Sequence, residues 1–140
     1  VTPTQFIRIE ESFGGAKFMN GYGATEASPC ITFESPRYSL EKRAHTVGKA
    51  ARGKVLKIHD KHAGFLPPGE IGEVFIKDDG NIMLGYYKHE DREQYIDKDG
   101  WLHTGDLGFF DAEEFLHLVG RSKDIIIRGG ENITPHGGGL

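Results

Sequence analysis

From His45 to the end of the chain, apolar residues come in short runs that turn signals keep interrupting. "EIGEVFIKD" (70–78) alternates apolar and polar residues, the pattern of a half-buried strand. Ahead of it, "TVGKAARGKVLKIHD" carries Val55, Leu56 and Ile58 in a strand-like run closed by Asp60. "DDG" at 78–80 signals a turn, and "NIMLGYY" (81–87) reads as another short strand. "GWLHTG", "DLGFFD", "FLHLVG" and "DIIIRGG" follow as short strands cut by turns. Helical signals occur twice. "TPTQFIRIEESFGG" offers Thr4 as an N-cap behind Pro3, an apolar face from Phe6, Ile7, Ile9 and Phe13, and a stop at Gly14–Gly15. "HEDREQYI" (89–96) has acids in its first turn. "AKFMNGYG" reads as a strand entering a glycine turn, and residues 25–45 as a polar loop with one helical turn. The 20 glycines among 140 residues are about twice ordinary usage. They fit tight turns and close backbone approaches, not a helical bundle. The fold class is therefore α+β: strand-rich, with a twisted antiparallel sheet or distorted β-barrel and two helices.

The totals exclude several functions. A net charge of -4, with basic residues thinly spread, gives no footprint for nucleic acid. A single cysteine, Cys30, allows neither an internal disulfide nor a cysteine-cluster metal site and fits a reducing compartment. His59 and His62 stand near Asp60, but too few further ligands accompany them for a metal centre. No apolar run approaches the roughly 18 residues of a membrane span, and no signal peptide opens the chain. The expectation is an intracellular, cytoplasmic protein.

Three stretches carry chemistry. In "NGYGATEAS", Gly21 and Gly23 free the backbone on either side of Tyr22 to approach a ligand. Tyr22 offers a π face, Thr25 a hydroxyl and Glu26 a carboxylate, which suits a base, a phosphate oxygen and Mg²⁺ respectively. The alternative is a turn whose tyrosine packs in the core and whose glutamate faces water. In "GWLHTGDLG", Asp106 has two oxygens, and a ribose presents two adjacent hydroxyls to donate to them. Gly105 and Gly108 would leave room for the sugar. The competing reading is an Asp-capped turn. In "GRSKDIIIRGGENITP", Arg121 stands at the end of an apolar strand and can return toward the same place. Lys123 and Asp124 form a charged pair before the apolar "III", equally compatible with a solvated turn.

In this order the three stretches resemble the signatures of the adenylate-forming enzymes: acyl- and aryl-CoA synthetases, luciferases and peptide-synthetase adenylation domains. "NGYGATEAS" resembles the aromatic-Gly-x-Thr-Glu motif, "GWLHTGDLG" the Thr-Gly-Asp motif, and "GRSKDIIIRGGENITP" the hinge motif. The stretches "EKRAHTVGKAARGKVLKIHD", "LPPGEIGEVFIK" and "NIMLGYYKHED" keep the family's spacing between them, and "DIIIRGGENITP" is similar to the acyl- or aryl-CoA ligases in particular. The resemblance implies that Tyr22 stacks on adenine, with Gly21 and Gly23 shaping the pocket floor. It implies that Thr25 binds the α-phosphate, Glu26 holds Mg²⁺, Asp106 takes both ribose hydroxyls and Arg121 supports ribose or phosphate. Lys123 falls at the hinge, and Gly129 and Gly130 at the loop beside the coenzyme A tunnel. The implied reaction is two-step: a carboxylic acid attacks ATP to give acyl-AMP and pyrophosphate, and coenzyme A then displaces AMP. Catalytic weight would fall on Thr25 and Glu26, by positioning and charge stabilisation.

The same resemblance divides the chain. Residues 1–124 correspond to the C-terminal part of the AMP-binding N-terminal domain. Residues 125–135 correspond to the strand and loop that begin the C-terminal lid, and 136–140 to a tail or linker. The family's Ser/Thr/Gly-rich phosphate loop and lid lysine have no match, so these residues are expected to supply adenine, ribose and metal groups without being active alone. Surfaces left uncovered favour self-association or a partner. The alternatives are a non-catalytic nucleotide-binding or interaction module built on that fold, and an adenylation domain that loads a carrier protein. Glu114 replaces a frequent family glycine, which is expected to strain its turn.

Overall fold

The computed structural model describes residues 3–78, 80–87 and 94–122, together with the backbone of 126–128 and 131–133. Helix α1 spans Pro3–Ser12. Pro3 is already helical, since its fixed φ suits a first turn and its missing N–H is not needed there; Thr4 therefore lies inside the helix instead of capping it. Of the expected apolar face, Phe6 is fully buried and meets the Phe18 ring edge-on at 4.9 Å, whereas Ile7 and Phe13 are exposed. Short strands β1 (Thr32–Phe33) and β2 (Lys49–Ala50) pair antiparallel. Between them runs the second helix, α2 (Leu40–His45), capped by the Ser39 hydroxyl, which accepts from the Lys42 N–H at 3.2 Å. The loop expected over 25–45 thus holds a real helix. Most of the helix expected at 89–96 lies outside the described residues; Gln94 is in a 3₁₀ turn, and Ile96 bridges Leu102 antiparallel.

Five antiparallel strands follow: β3 (Lys54–Asp60), β4 (Gly64–Phe65), β5 (Gly72–Asp78), β6 (Leu102–Phe110) and β7 (Leu116–Arg121). They form one open sheet in the order β4-β3-β5-β6-β7. Two further short strands, β8 (Ile126–Arg128) and β9 (Glu131–Ile133), pair with each other. "GWLHTG" and "DLGFFD" are not separate strands. They merge into the nine residues of β6, and the turn expected between them becomes a bulge in the β5–β6 pairing where Gly105 adopts φ +72°. Residues 16–21 and 81–87 are not strands.

The inner face of the sheet and the irregular segment 22–47 enclose the core. Ile58, Val74, Ile76, Leu102 and Leu116 pack there against Tyr22, Ala27, Ile31 and Val47. The segment is also bonded to the β7 edge: the Val47 N–H donates to the Leu116 carbonyl and the Leu116 N–H to the Gly48 carbonyl, both at 2.9 Å. The outer face is less open than alternation predicts. Phe75 is only 3% exposed because it is sandwiched between the rings of His59 (4.4 Å) and His103 (4.1 Å). In the β6–β7 turn, Asp111 Oδ1 accepts from the N–H groups of Glu113 and Phe115, each at 2.9 Å. Burial raises the Asp111 pKa, but Lys42, these N–H groups and His117 together hold it well below the usual carboxylate range. Glu114 takes φ +66°, so the residue at a common family glycine does sit in the left-handed region.

Candidate nucleotide-binding cleft

The first wall of the site begins at Tyr22. Its carbonyl accepts from the N–H groups of Ile31 (2.9 Å) and Thr32 (3.0 Å), and its own N–H donates to the Thr32 hydroxyl at 3.0 Å. Gly23 then passes so close to the next loop that a Cβ would fall 1.6 Å from the Pro29 carbonyl oxygen. Only glycine fits that approach. Thr25–Ala27 form one 3₁₀ turn, which Ser28 ends in the left-handed region at φ 52°. The turn is fastened to the sheet by Lys54, whose ammonium donates to the Ala27 carbonyl at 2.8 Å and to Asp78 at 2.6 Å. Both charged side chains of that pair are buried, and the ammonium is satisfied on two sides.

The second wall is the bulged middle of β6. The Gly105 N–H donates to Glu73 Oε1 at 2.8 Å, and the Gly105 carbonyl accepts from the Ser122 N–H at 2.9 Å. The Thr104 hydroxyl donates to the Val74 carbonyl (2.8 Å) and accepts from the Asp106 N–H (3.1 Å). This arrangement lets Asp106 leave the strand rhythm and face the first wall. Its carboxylate caps no turn. Tyr22 Oη donates to Oδ2 at 2.6 Å, and Arg121 Nε, from the paired position on β7, donates to Oδ1 at 3.0 Å. Burial, and then the bond to Asp106, pushes the Tyr22 hydroxyl well above its usual pKa, so it remains a donor. Each carboxylate oxygen has two lone pairs, so Asp106 retains one acceptor position per oxygen after these bonds.

The walls enclose a cleft of about 650 Å³. Thr25, Glu26, Asp106 and Arg121 line it together, and Gly23 forms part of its side. Tyr22 is placed differently. Its ring is 9% exposed and belongs to the core, with only its hydroxyl reaching the acid beside the cleft. Gly21 is exposed and does not line the cleft, while Lys123, Gly129 and Gly130 lie outside the described residues. The sequence reading overlooked Glu73, Lys54 and Tyr86. Tyr86 stands in the stretch 81–87 that reads as a short strand, yet it lies in no strand, and its hydroxyl donates to Glu26 Oε1. That bond, with a backbone contribution, holds the Glu26 carboxylate below its ordinary pKa. Glu73 carried a signal only as one of the polar positions in "EIGEVFIKD".

Among the described residues, no three His, Cys, Asp or Glu side chains could share a metal. The donor set still fits Mg²⁺ bound with a nucleotide. That ion takes one or two carboxylates and fills its other positions from phosphates and water, and Glu26 stands ready at the cleft.

Residues 1–87 match the AMP-binding family, described as AMP-binding enzyme. The chain is 35% identical over 122 residues to a long-chain-fatty-acid–CoA ligase of Escherichia coli, covering 87% of this chain and 21% of that protein. It is 40% identical over 117 residues to the 2-succinylbenzoate–CoA ligase of Bacillus licheniformis, covering 84% of this chain and 24% of the ligase. Among solved structures, O-succinylbenzoate coenzyme A synthetase from Bacillus subtilis, in complex with ATP and magnesium ion, superposes with a TM-score of 0.80 at 35% identity. That match covers 96% of this chain and 27% of the synthetase. The chain thus spans about a quarter of the length of such relatives. It belongs to the AMP-binding enzyme family and comprises part of the adenylate-forming fold.

Proposed function

We propose that these residues form the nucleotide-gripping part of an AMP-forming acyl- or aryl-CoA ligase. The observation that carries the reading is the meeting of Thr25–Glu26 and Asp106–Arg121 across one cleft, from segments about 80 residues apart in the chain. Asp106, held on both oxygens, accepts the 2′ and 3′ hydroxyls of the ribose through its remaining lone pairs. Thr25 donates its hydroxyl to the α-phosphate. Glu26 holds Mg²⁺, which when bound neutralises phosphate charge and orients the polyphosphate. Arg121 adds positive charge beside the ribose and phosphate. Tyr22 contributes by fixing Asp106 with its hydroxyl. Gly23 brings the backbone in closely, Lys123 serves as the hinge, and Gly129 and Gly130 border the path of coenzyme A.

In the parent enzyme, the carboxylate of a small-molecule acid attacks the α-phosphorus of ATP. The acyl-phosphate bond forms, the bond to pyrophosphate breaks, and the thiol of coenzyme A then takes the acyl group from AMP. The site residues act by position and charge, with no covalent step of their own. These 140 residues alone bind nucleotide without releasing pyrophosphate, since no stretch of them matches the phosphate loop. No helix among the described residues is long and apolar enough to cross a membrane, and we place the enzyme in the cytoplasm. Exposed Phe13, Phe33 and Leu84 favour self-association of the isolated chain.

Calorimetric titration with AMP tests the reading. The chain binds AMP, and Asp106→Ala lowers the affinity by about a hundredfold, the loss of two charge-assisted hydrogen bonds. Unchanged affinity in the variant removes the ribose assignment.

A further inference from the structure

The segment 81–87 crosses the Thr25–Ala27 turn as a strap. The Met83 N–H donates to the Glu26 carbonyl at 2.8 Å, and the Ser28 hydroxyl donates to the Asn81 carbonyl at 2.9 Å. At its base, the Asn81 side chain donates to Asp78 Oδ1 at 3.0 Å, the same carboxylate that holds Lys54. The strap is therefore tied to the turn at two places, and at its base to the end of β5, before its tyrosine is considered. Tyr86 adds a bond of a different kind, from a side chain to the functional group itself: its hydroxyl donates to Glu26 Oε1. Its ring meets Tyr95 edge-on at 5.5 Å, and Tyr95 lines the cleft. The Glu26 backbone N–H also contributes a bond to this carboxylate, whose two oxygens together offer four lone pairs.

A glutamate at a cleft edge samples several rotamers and must be ordered when a ligand binds. A donor that fixes one oxygen before binding removes that cost and leaves the second oxygen for the incoming charge. We propose that Tyr86 is a positioning residue for Glu26, holding the carboxylate so that its other oxygen meets the Mg²⁺ of a bound nucleotide. The proposal rests on the nucleotide reading above. It gives a second-layer task to a residue that the motif pattern leaves unassigned. A tyrosine that only secured the strap would act on all ligands alike, because the strap is held to the turn whether or not metal is present.

The test is calorimetric titration of the 140-residue chain with ATP over a series of Mg²⁺ concentrations, and with AMP in the absence of divalent metal. Tyr86→Phe keeps the ring and its contact with Tyr95 and removes only the donor oxygen. The gain in ATP affinity produced by Mg²⁺ falls by about three- to tenfold in this variant, the loss expected of one charge-assisted hydrogen bond at an accessible site. Metal-free AMP affinity stays at the wild-type value. In a Glu26→Ala background, Tyr86→Phe has no further effect on the Mg²⁺ response. Identical Mg²⁺ dependence in wild type and Tyr86→Phe overturns the positioning role alone. So does an equal loss for metal-free AMP, which marks a structural role. A wild-type chain that binds neither AMP nor ATP at any Mg²⁺ concentration overturns the nucleotide reading and this inference with it.

Discussion

The two walls of the cleft are built by different physics. The Asp106–Arg121 wall is sheet: its partners are fixed by antiparallel ladders running from β5 through β6 to β7, and many backbone bonds share the task. The Tyr22–Glu26 wall has little regular structure, and a few buried polar side chains hold it. Thr32 receives the Tyr22 N–H, Lys54 ties down the Ala27 carbonyl, and Glu34 accepts the Asn20 N–H at 2.6 Å and the Thr46 hydroxyl at 3.2 Å. Burial raises the Glu34 pKa, against the Asn20 and Thr46 bonds and the Arg43 charge, which lower it. A ladder tolerates the loss of one bond, whereas a wall resting on single contacts does not.

Glycine substitutions expose this contrast most strongly. Gly23→Ala places a Cβ 1.6 Å from the Pro29 carbonyl oxygen and 2.8 Å from its carbon, where only backbone could yield. The expected cost is about 3 kcal/mol or more, read from denaturant unfolding. Gly105→Ala in the sheet wall meets nothing nearer than the Ser122 hydroxyl at 4.0 Å and pays only for its positive φ, about 1 kcal/mol. Equal costs at the two sites would break the comparison.

The next effect concerns the clamp behind the irregular wall. Arg43, 3% exposed on α2, donates to Glu10 on α1, to the Phe18 carbonyl at 2.6 Å and to the Tyr38 carbonyl at 3.2 Å. The Arg43 hydrogen bond, outweighing burial, lowers the Glu10 pKa from 4.5 to about 2. A carboxylate with a depressed folded-state pKa stabilises above its unfolded value and loses that contribution as pH falls through the folded one. The stability difference between wild type and Glu10→Gln is therefore full above about pH 4.5 and disappears toward pH 2, as thermal melts across that range would record. A difference independent of pH would mean that the ion pair contributes nothing. The smallest effect falls in the sheet half: Glu114→Gly relieves φ +66° and raises stability by up to about 1 kcal/mol, less the entropy that glycine returns to the unfolded chain. A loss of stability there would show that the Glu114 side chain outweighs its backbone strain.

The sheet was legible because its signal is periodic. Val55, Leu56 and Ile58 mark β3, and the alternation of 70–78 marks β5 to within two residues. The β6 bulge was misread as a turn because Thr-Gly-Asp has turn chemistry whether or not the strand continues past it. Helix α2 was seen only as one turn, since its cap is a single serine and its face is mostly charged. The motif residues Thr25, Glu26, Asp106 and Arg121 were identified by residue type and by the resemblance of their motifs, and the structure brings all four to one cleft. The partners that fix them were not visible. The links Tyr22–Asp106, Lys54–Ala27 and Tyr86–Glu26 are long-range contacts between residues of unremarkable type, and no local pattern encodes them.

The central claim is that both walls act on a single nucleotide. The most direct measurement is a two-dimensional amide NMR titration of the chain with AMP. Amides of Gly23–Glu26 and of Gly105, Asp106 and Ser122 are predicted to shift together and saturate along one binding curve. Shifts confined to one wall, or two curves with separate midpoints, would contradict the account.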